Sequence, residues 1–576
     1  CSSNEDLGTA GPGTGTNEAG VGYATFTINL PTTSGTRSTE NDQFYEGTAS
    51  EYAVNDATLL IFEKDGSSEN EYKFVEQASL GNLEPWKKDN ESNNGITTEA
   101  TITAKLNNAK VDKTGDKYYA LVILNNEATT GTKVTAPTAP TETYGTWNVA
   151  ANVNATNLLD NKKGFYMANA PEFTTKDVEP TTLVAIKGIY RTKEEAQNNA
   201  ATTIHVERGL AKVTVGKSST STKDYFAEGG DNATGKKYSS DKVKITNWAL
   251  DVTNKESFPV HETSGLMNGT TSKDETVLGY SEIWSNTAAT PSTIPATSRF
   301  VSNSTATFKR VYWGIDPNYS TEYKTPEDCK DKFNILGNAK ITGDVANPQY
   351  CLENTFDIYH MQQGQTTRVV FKATYTPSVL SSPTETDKTF FMIGNSTDIW
   401  TTKTLKAQIA SKTKEALSIT TAPTVELKED LLKGGTHFLT TENVSIKDGG
   451  TEKVNTPGLV AELNNKLGLD EINGVGIKTY KNGESYYIAR IKHFGDDLTP
   501  WSAGNETYGG NNLNWLGRYG VLRNNWYDLT VNSISGPGYP DIPEVKPTDP
   551  DDENFKYISV SVKILDWAKR SQSWDL

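Results

Sequence analysis

The sequence predicts a mainly β protein: two tandem β-sandwich domains, a few short helices, and a last strand carried on an extended C-terminal tether. Three observations lead there. Short apolar runs alternate with polar residues at a period of two, Gly-, Asn-, Ser- and Thr-rich clusters separate the runs, and no long helices intervene as they would in a parallel α/β fold. The chain has 576 residues, 35% of them hydrophobic and 22% charged, which is enough for more than one core. Its net charge of -16 argues against nucleic acid and anionic lipid surfaces as partners, since both repel an acidic protein. No window approaches the roughly 18 apolar residues that a membrane-spanning helix needs.

The N-terminal residues bear on compartment and processing. Cys1 opens a polar, Gly-rich stretch, CSSNEDLGTAGPGTGTNEAG, that holds no Lys or Arg. An N-terminal cysteine on a flexible tether is the pattern left when a bacterial lipoprotein loses its signal peptide, so Cys1 is the expected lipidation site; the plain alternative is an arbitrary start. Residues 23–30, YATFTINL, place Phe26, Ile28 and Leu30 on one face and Thr25, Thr27 and Asn29 on the other. That is a strand with one apolar side. The PTTSGTRSTENDQ that follows is polar and without pattern, and it contains Arg37, the first basic residue of the chain. An arginine-specific protease has an early target there. Cutting between Arg37 and Ser38 releases the first strand and opens a groove between sheet edges, which invites a strand from another chain.

The runs VNDATLLIFEKDG (54–66), TITAKL (101–106), KYYALVILNN (117–126), GFYMANA (164–170), TTLVAIKGIY (181–190) and ATTIHVERGLAKVTV (201–215) read as strands of a first sandwich. Leu59, Leu60, Ile61 and Phe62 are apolar on both faces, which places their strand centrally. Residues 216–241, rich in Ser, Thr, Gly and Lys, read as a junction. A second sandwich follows with VKITNWALDVTNK (243–255), FKRVYWGI (308–315), TTRVVFKATY (366–375), SYYIARIKHF (485–494) and YDLTVNSI (527–534). Two helices are expected within it, at 405–416 and 457–467, as surface packing elements; Thr456 caps the second, Pro457 starts it and Gly468 stops it. Cys329 and Cys351 could pair as a disulfide in an oxidising compartment, and Cys351, in a strand-like context, suits a small buried thiol equally.

At the end, residues 557–576 read YISVSVKILDWAKRSQSWDL, with Ile558, Val560, Val562 and Ile564 on one face against Ser559, Ser561 and Lys563. The approach, residues 533–556, holds five prolines and six acidic residues, a composition that favours extended polyproline-like chain. At about 3.1 Å per residue the tether 536–556 could span roughly 60 Å, enough to carry the strand to a neighbouring molecule.

Catalytic chemistry finds little support. The five histidines, His205, His261, His360, His437 and His493, are dispersed, with no HExxH and no CxxC, so neither a metal site nor a cofactor site is expected and structural histidines are the plainer reading. There is no GxSxG and no P-loop, and GPGTG at 11–15 opens no helix. Cys351 and His360, nine residues apart, lack the surroundings of a thiol-base pair. Trp501, Trp515 and Trp526 could stack on sugars, although packing is the commoner use of Trp, and the acidic run at Asp549, Asp551, Asp552 and Glu553 lacks calcium-loop spacing.

Taken together, Cys1, Arg37, VNDATLLIF, YYALVILNN, GFYMANA, VERGLAKVTV (206–215), YCLENTFD (350–357), RYGVLRNNWYDLTVNSISGPG (518–538), the Pro/Asp-rich linker and VSVKILDWAKRSQSWDL resemble the fimbrillins, the shaft subunits of type V pili of Bacteroidales, and among them the larger, minor-fimbria shaft type. The resemblance implies transthyretin-like, Greek-key sandwiches and export to the outer membrane as a lipoprotein. It also implies cleavage by an arginine-specific surface protease, and polymerisation of the chain with itself, together with anchor and tip subunits, into an extracellular adhesive fimbrium. Carried onto this chain, it divides the sequence into a tether (1–22), a removable strand with its cleavage segment (23–37), an N-terminal sandwich (38–216), a junction (217–242), a C-terminal sandwich (243–535), a linker (536–556) and a donor strand (557–576), with Trp567 and Trp574 as late anchors of the donor. The competing expectation is a monomeric surface lipoprotein that binds glycans through residues 501–526, or an anchor or tip subunit.

Overall fold

The computed structural model describes residues 21–30, 48–83, 86, 98–172, 179–217, 224–226, 230–231, 237–264, 270–272, 275–277, 311, 313–337, 339–357, 359–494, 499, 516–551 and, as backbone, 558–565. The first module is one sheet around one core. Its strands are β1 (Gly22–Asn29), β2 (Ala57–Glu63), β3 (Lys73–Ser79), β4 (Glu99–Leu106), β5 (Tyr118–Leu124), β6 (Met167–Asn169) and β7 (Thr202–Arg208), in the order β3-β2-β5-β6-β7-β1-β4. Leu59, Leu60, Ile61 and Phe62 are fully buried, as their two-sided apolarity predicts, and β2 has a partner on each side. The carboxylate of Glu76 on β3 accepts the N–H groups of Asn107, Asn108 and Ala109, just past β4, at 2.8, 2.8 and 2.7 Å. The two ends of the sheet therefore meet.

Residues 181–190, expected as a strand, contain only the two-residue strand Val184–Ala185. The physical reason is spacing: the buried residues Leu183, Ile186 and Ile189 recur every three positions, which a pleated strand would send to alternating faces. Nor does 201–215 run as one strand of the first module. At Gly209 the chain passes from β7 to β8 (Leu210–Lys217), which belongs to a different sheet. A Cβ at Gly209 would lie 2.7 Å from the ring of Tyr166, so the crossing needs glycine.

The second module is a sandwich. Besides β8 it uses β9 (Lys242–Asp251), helix α1 (Pro326–Lys332), β10 (Gln349–Leu352) and β11 (Arg368–Thr376). Residues 377–483 then form an insertion with β12 (Phe390–Ile393), α2 (Thr402–Leu417), β13 (Thr424–Leu427), β14 (Gly435–His437), β15 (Val444–Asp448), α3 (Leu459–Lys466) and β16 (Ile477–Tyr480). The sandwich closes with β17 (Glu484–Arg490), β18 (Trp526–Ile534) and β19 (Ile558–Leu565). One sheet runs β10-β8-β18-β19 and the other contains β9-β11-β17; Val213, Tyr527, Leu529 and Val531 of the first meet Ile245, Trp248, Phe371 and Tyr487 of the second in one core.

The insertion is a third body that the reading of two tandem sandwiches did not foresee. It has its own core, in which Leu405, Ile409, Leu459 and Leu463 of the helices pack against Phe391, Val444, Ile446 and Ile477. The two helices are thus core elements and not surface packing. Their boundaries also shift: α3 begins at Leu459 with Gly458 at its N-cap in the left-handed region (φ 77°), and Thr456 and Pro457 lie in the preceding turn. Gly468 follows the helix, and its N–H bonds the Asn465 carbonyl at 2.9 Å. The insertion leaves the sandwich path undisturbed because its ends are neighbours, Thr374 pairing with Glu484 across β11 and β17.

Candidate functional site

The site is made by the two terminal strands and the chain that leads to the second of them. β1 lies between two partners, antiparallel to β4 (Phe26 beside Ile102) and parallel to β7 (Phe26 beside Thr202). Its alternation decides the burial: Ala24, Phe26, Ile28 and Leu30 are at most 1% exposed. On the other face Thr25 Oγ1 lies 2.9 Å from Thr103 Oγ1, Thr27 Oγ1 lies 2.9 Å from Thr101 Oγ1, and Asn29 Nδ2 donates to Glu99 at 2.6 Å. Residues 31–47, with Arg37 and Ser38, lie outside the described residues, as do Cys1, Trp501, Trp515, Trp567 and Trp574.

Where the chain resumes it is anchored at once between the two modules. Glu51 is buried, its carboxylate 2.5 Å from Lys212 Nζ on β8 and accepting the Tyr350 hydroxyl on β10 at 2.7 Å. Arg208 Nε, at the end of β7, donates to the Glu51 carbonyl at 2.5 Å. Burial pushes the Lys212 amine below the usual lysine range, and Glu51 opposes that shift. The Lys212 ammonium also sits 3.8 Å from the centre of the Trp526 ring, whose Nε1 donates to Thr214 at 2.7 Å. Trp526 is therefore committed to the sheet, which removes it from the sugar-stacking candidates.

Among the described strands β19 is the outermost of its sheet, and it pairs antiparallel with β18 of the same chain, Ile564 opposite Tyr527 and Val562 opposite Leu529. The chain before it, residues 535–551, does not stand away from the body as a free tether. It is a docked strap. Tyr539 and Tyr486 exchange backbone hydrogen bonds at 2.7 and 2.9 Å, the hydroxyls of Tyr487 and Tyr480 donate to the carbonyls of Gly536 and Gly538 at 2.8 Å each, and Arg368 donates to the Pro543 carbonyl at 2.5 Å. Further on, Gln363 N–H bonds the Asp549 carbonyl at 2.9 Å, and Asp551 is tied to the Met361 carbonyl at 3.1 Å and to Thr366 at 2.9 Å. The reason is again a period of three. Tyr539, Ile542 and Val545 are three residues apart; the first two pack on Ile341, Val370 and Ile488, and Val545 enters the cluster of Val252, Cys329 and Phe333. That spacing was visible in the sequence but was masked by the prolines and acids around it.

Cys329 and Cys351 are both free and buried, so of the two alternatives left open by the sequence the structure has the buried thiol and not the possible disulfide. Each thiol packs in a different core, Cys329 on α1 with Phe333 and Val545, Cys351 on β10 in the sandwich interior. Burial pushes their thiols up to about 11 and about 12, so neither is a ready thiolate. Four of the histidines have specific structural bonds: His261 to Glu207 (2.9 Å) and the Trp313 carbonyl (2.9 Å), His360 to Asp357 (2.6 Å), His437 to the Lys433 carbonyl (2.7 Å) and His493 to Tyr527 (2.7 Å). His205 lies on β7, and burial lowers its proton affinity. Among the described residues no three His, Cys, Asp or Glu side chains are grouped so as to hold a metal ion.

Residues 478–573 match the family described as major fimbrial subunit protein type IV, fimbrillin, C-terminal. Solved structures similar to the chain include a candidate cell adhesion protein from Parabacteroides distasonis, at 10% identity over 95% of this chain and 98% of that one, with a TM-score of 0.34. Another candidate cell adhesion protein, from Bacteroides eggerthii, is 12% identical over 94% and 96% of the two chains, with a TM-score of 0.32. A third is the tip fimbrial protein Mfa3 from Porphyromonas gingivalis, truncated at its C-terminus, at 9% identity over 95% and 100% with a TM-score of 0.26. No curated protein matches the chain. Over residues 478–573, the stretch that holds β17, β18, the strap and β19, the chain is similar to the C-terminal part of the fimbrillins.

Proposed function

We propose that the chain is a shaft subunit of a surface fimbria, cut after Arg37 and polymerised by donation of its C-terminal strand to the next copy. One observation carries this reading: the two chain ends have the form of two halves of one joint. β1 is a single strand held between β4 and β7, so its removal leaves a slot with a hydrogen-bonding edge on either side. β19 has β18 as its ladder partner on one side, and its sequence repeats the apolar alternation of β1. Donation from each copy into the next is a heterologous contact that does not close, so it builds a filament. The family resemblance adds export as a lipoprotein through Cys1, retention at the outer membrane until the cut, and anchor and tip subunits at the fibre ends. Residues Ile558, Val560, Val562 and Ile564 take the places of Ala24, Phe26, Ile28 and Leu30, and Trp567 follows as an anchor.

The test is limited digestion with an arginine-specific protease, followed by denaturing gels without heating and electron microscopy, with Arg37→Ala alongside. Cut wild-type protein gives a ladder and filaments, and the variant remains monomeric. Cleavage at Arg37 that leaves the protein monomeric overturns the reading.

A further inference from the structure

We propose that the strap stays on its own subunit when the C-terminal strand changes partner, so that only the chain beyond Asp551 is exchanged. This rests on the strand-exchange reading above and adds to it the point at which the donor leaves its subunit and the surface its acceptor must touch.

The argument begins with what the strap covers. Val369, Phe371 and Tyr487 point into the sandwich, whereas Val370 and Ile488 alternate to the opposite face of the same sheet, and it is Tyr539 and Ile542 that pack on them. Val370 and Ile488 are at most 3% exposed. Lifting the strap would bare this apolar face and open the cluster around Cys329 and Val545. It would also break the bond from Arg368, a buried side chain held by Asp251 at 2.8 Å, to the Pro543 carbonyl. β19, by contrast, leaves behind a single ladder on β18 that an equivalent pairing in the acceptor replaces. The chain thus separates into a part that is costly to move and a part that can be moved by exchange.

Reach follows from that division. A free tether over 536–556 could span roughly 60 Å. With the strap docked, the steps from Asp551 to Ile558 cover at most about 25 Å. The exit point lies against Met361 and Thr366, so the acceptor slot between β4 and β7 of a second copy must lie within that distance of the turn 361–366. That turn of the donor is assigned to the contact between subunits, and a short leash gives the filament a fixed repeat where a long tether would allow a variable one.

The experiment fixes the strap covalently. Val545→Cys places a thiol in the cluster that holds Cys329, and oxidation or a short bis-maleimide then ties strap to α1. After cleavage at Arg37, the locked protein is expected to assemble with the same ladder and the same axial repeat in electron micrographs as its unlocked form. A locked protein that stays monomeric while its unlocked form assembles overturns the proposal. Hydrogen exchange provides a second readout that needs no variant: amides of 536–551 protected in both monomer and filament support it, and loss of that protection in the filament overturns it. If unlocked, cut protein forms no filament at all, the strand-exchange reading itself is lost, and the docked exit point with it.

Discussion

β1 and β19 carry the same alternation of apolar and polar residues but occupy different positions. β1 has a ladder on each side and a buried row of Ala24, Phe26, Ile28 and Leu30, while β19 forms the end of its sheet, with β18 as its partner. Periodicity in a sequence specifies a face. How many neighbours a strand has is decided by the rest of the sheet, and this sets which strand leaves a gap and which one leaves only an edge.

The sharpest way to break that comparison is to delete each strand in turn. Starting the chain at residue 48 should lower the stability of the first module by roughly 5 to 9 kcal/mol, from three fully buried side chains worth about 1.5 to 3 kcal/mol each. Removing 552–576 should leave the same unfolding transition within about 0.5 kcal/mol, because β19 belongs to the other module. Urea unfolding followed through the first module compares the two, and equal shifts would erase the distinction. Within β1 the two faces should differ as well. Phe26→Ala should cost about 3 to 5 kcal/mol by opening a cavity. Thr27→Ala, on the polar face beside Thr101, should cost about 1 kcal/mol or less.

The anchor that follows β1 sharpens the comparison from the other side, since it links the first module to the sheet of β19. Glu51→Ala should cost about 3 kcal/mol by leaving Lys212 charged and buried, and pairing Glu51→Leu with Lys212→Met should recover most of that loss. A double-mutant cycle by chemical denaturation measures it. The smallest effect expected is a pH dependence at the joint of the modules. Both neighbours of His261, the Glu207 carboxylate and the Trp313 carbonyl, are acceptors, so only the protonated ring can donate to both. Burial resists that charge, but Glu207 outweighs it and raises the proton affinity of His261 above 6.5, with Glu353 adding to Glu207 and Arg523 opposing it. A histidine whose proton affinity is raised by folding contributes stability that is complete below its ordinary range and is lost as pH climbs through the raised value. Unfolding midpoints between about pH 5.5 and 8.5 should therefore fall with pH in the wild type and stay flatter in His261→Gln.

A second pair of regions shows where reading the sequence succeeds and where it stops. The strand runs at 57–63, 118–124, 368–376, 484–490 and 526–534 were legible because a half-buried or fully buried strand needs alternating or continuous apolar side chains. The strap was missed, although Tyr539, Ile542 and Val545 hold a strict spacing of three, because a proline-rich acidic composition suits an extended linker equally well whether or not a surface waits for it. The insertion at 377–483 was missed for a related reason. Its helices were visible, but nothing local reveals that Thr374 and Glu484 are neighbours or that Leu405, Leu459 and Ile477 share a core separate from the sandwich.

By itself the sequence determined the β character, the faces of its strands, the two helices, and the alternation of the two terminal strands, because these depend on side-chain period and turn chemistry over a few residues. Only the tertiary structure decided that β7 and β8 part at Gly209 into different sheets, that Cys329 and Cys351 lie in separate cores, that Glu51 ties the modules together, and that the linker lies docked as far as Asp551. Each of these is a contact between residues far apart in the chain. Such contacts depend on which surfaces remain uncovered once the local elements have formed, and no short stretch of sequence carries that information.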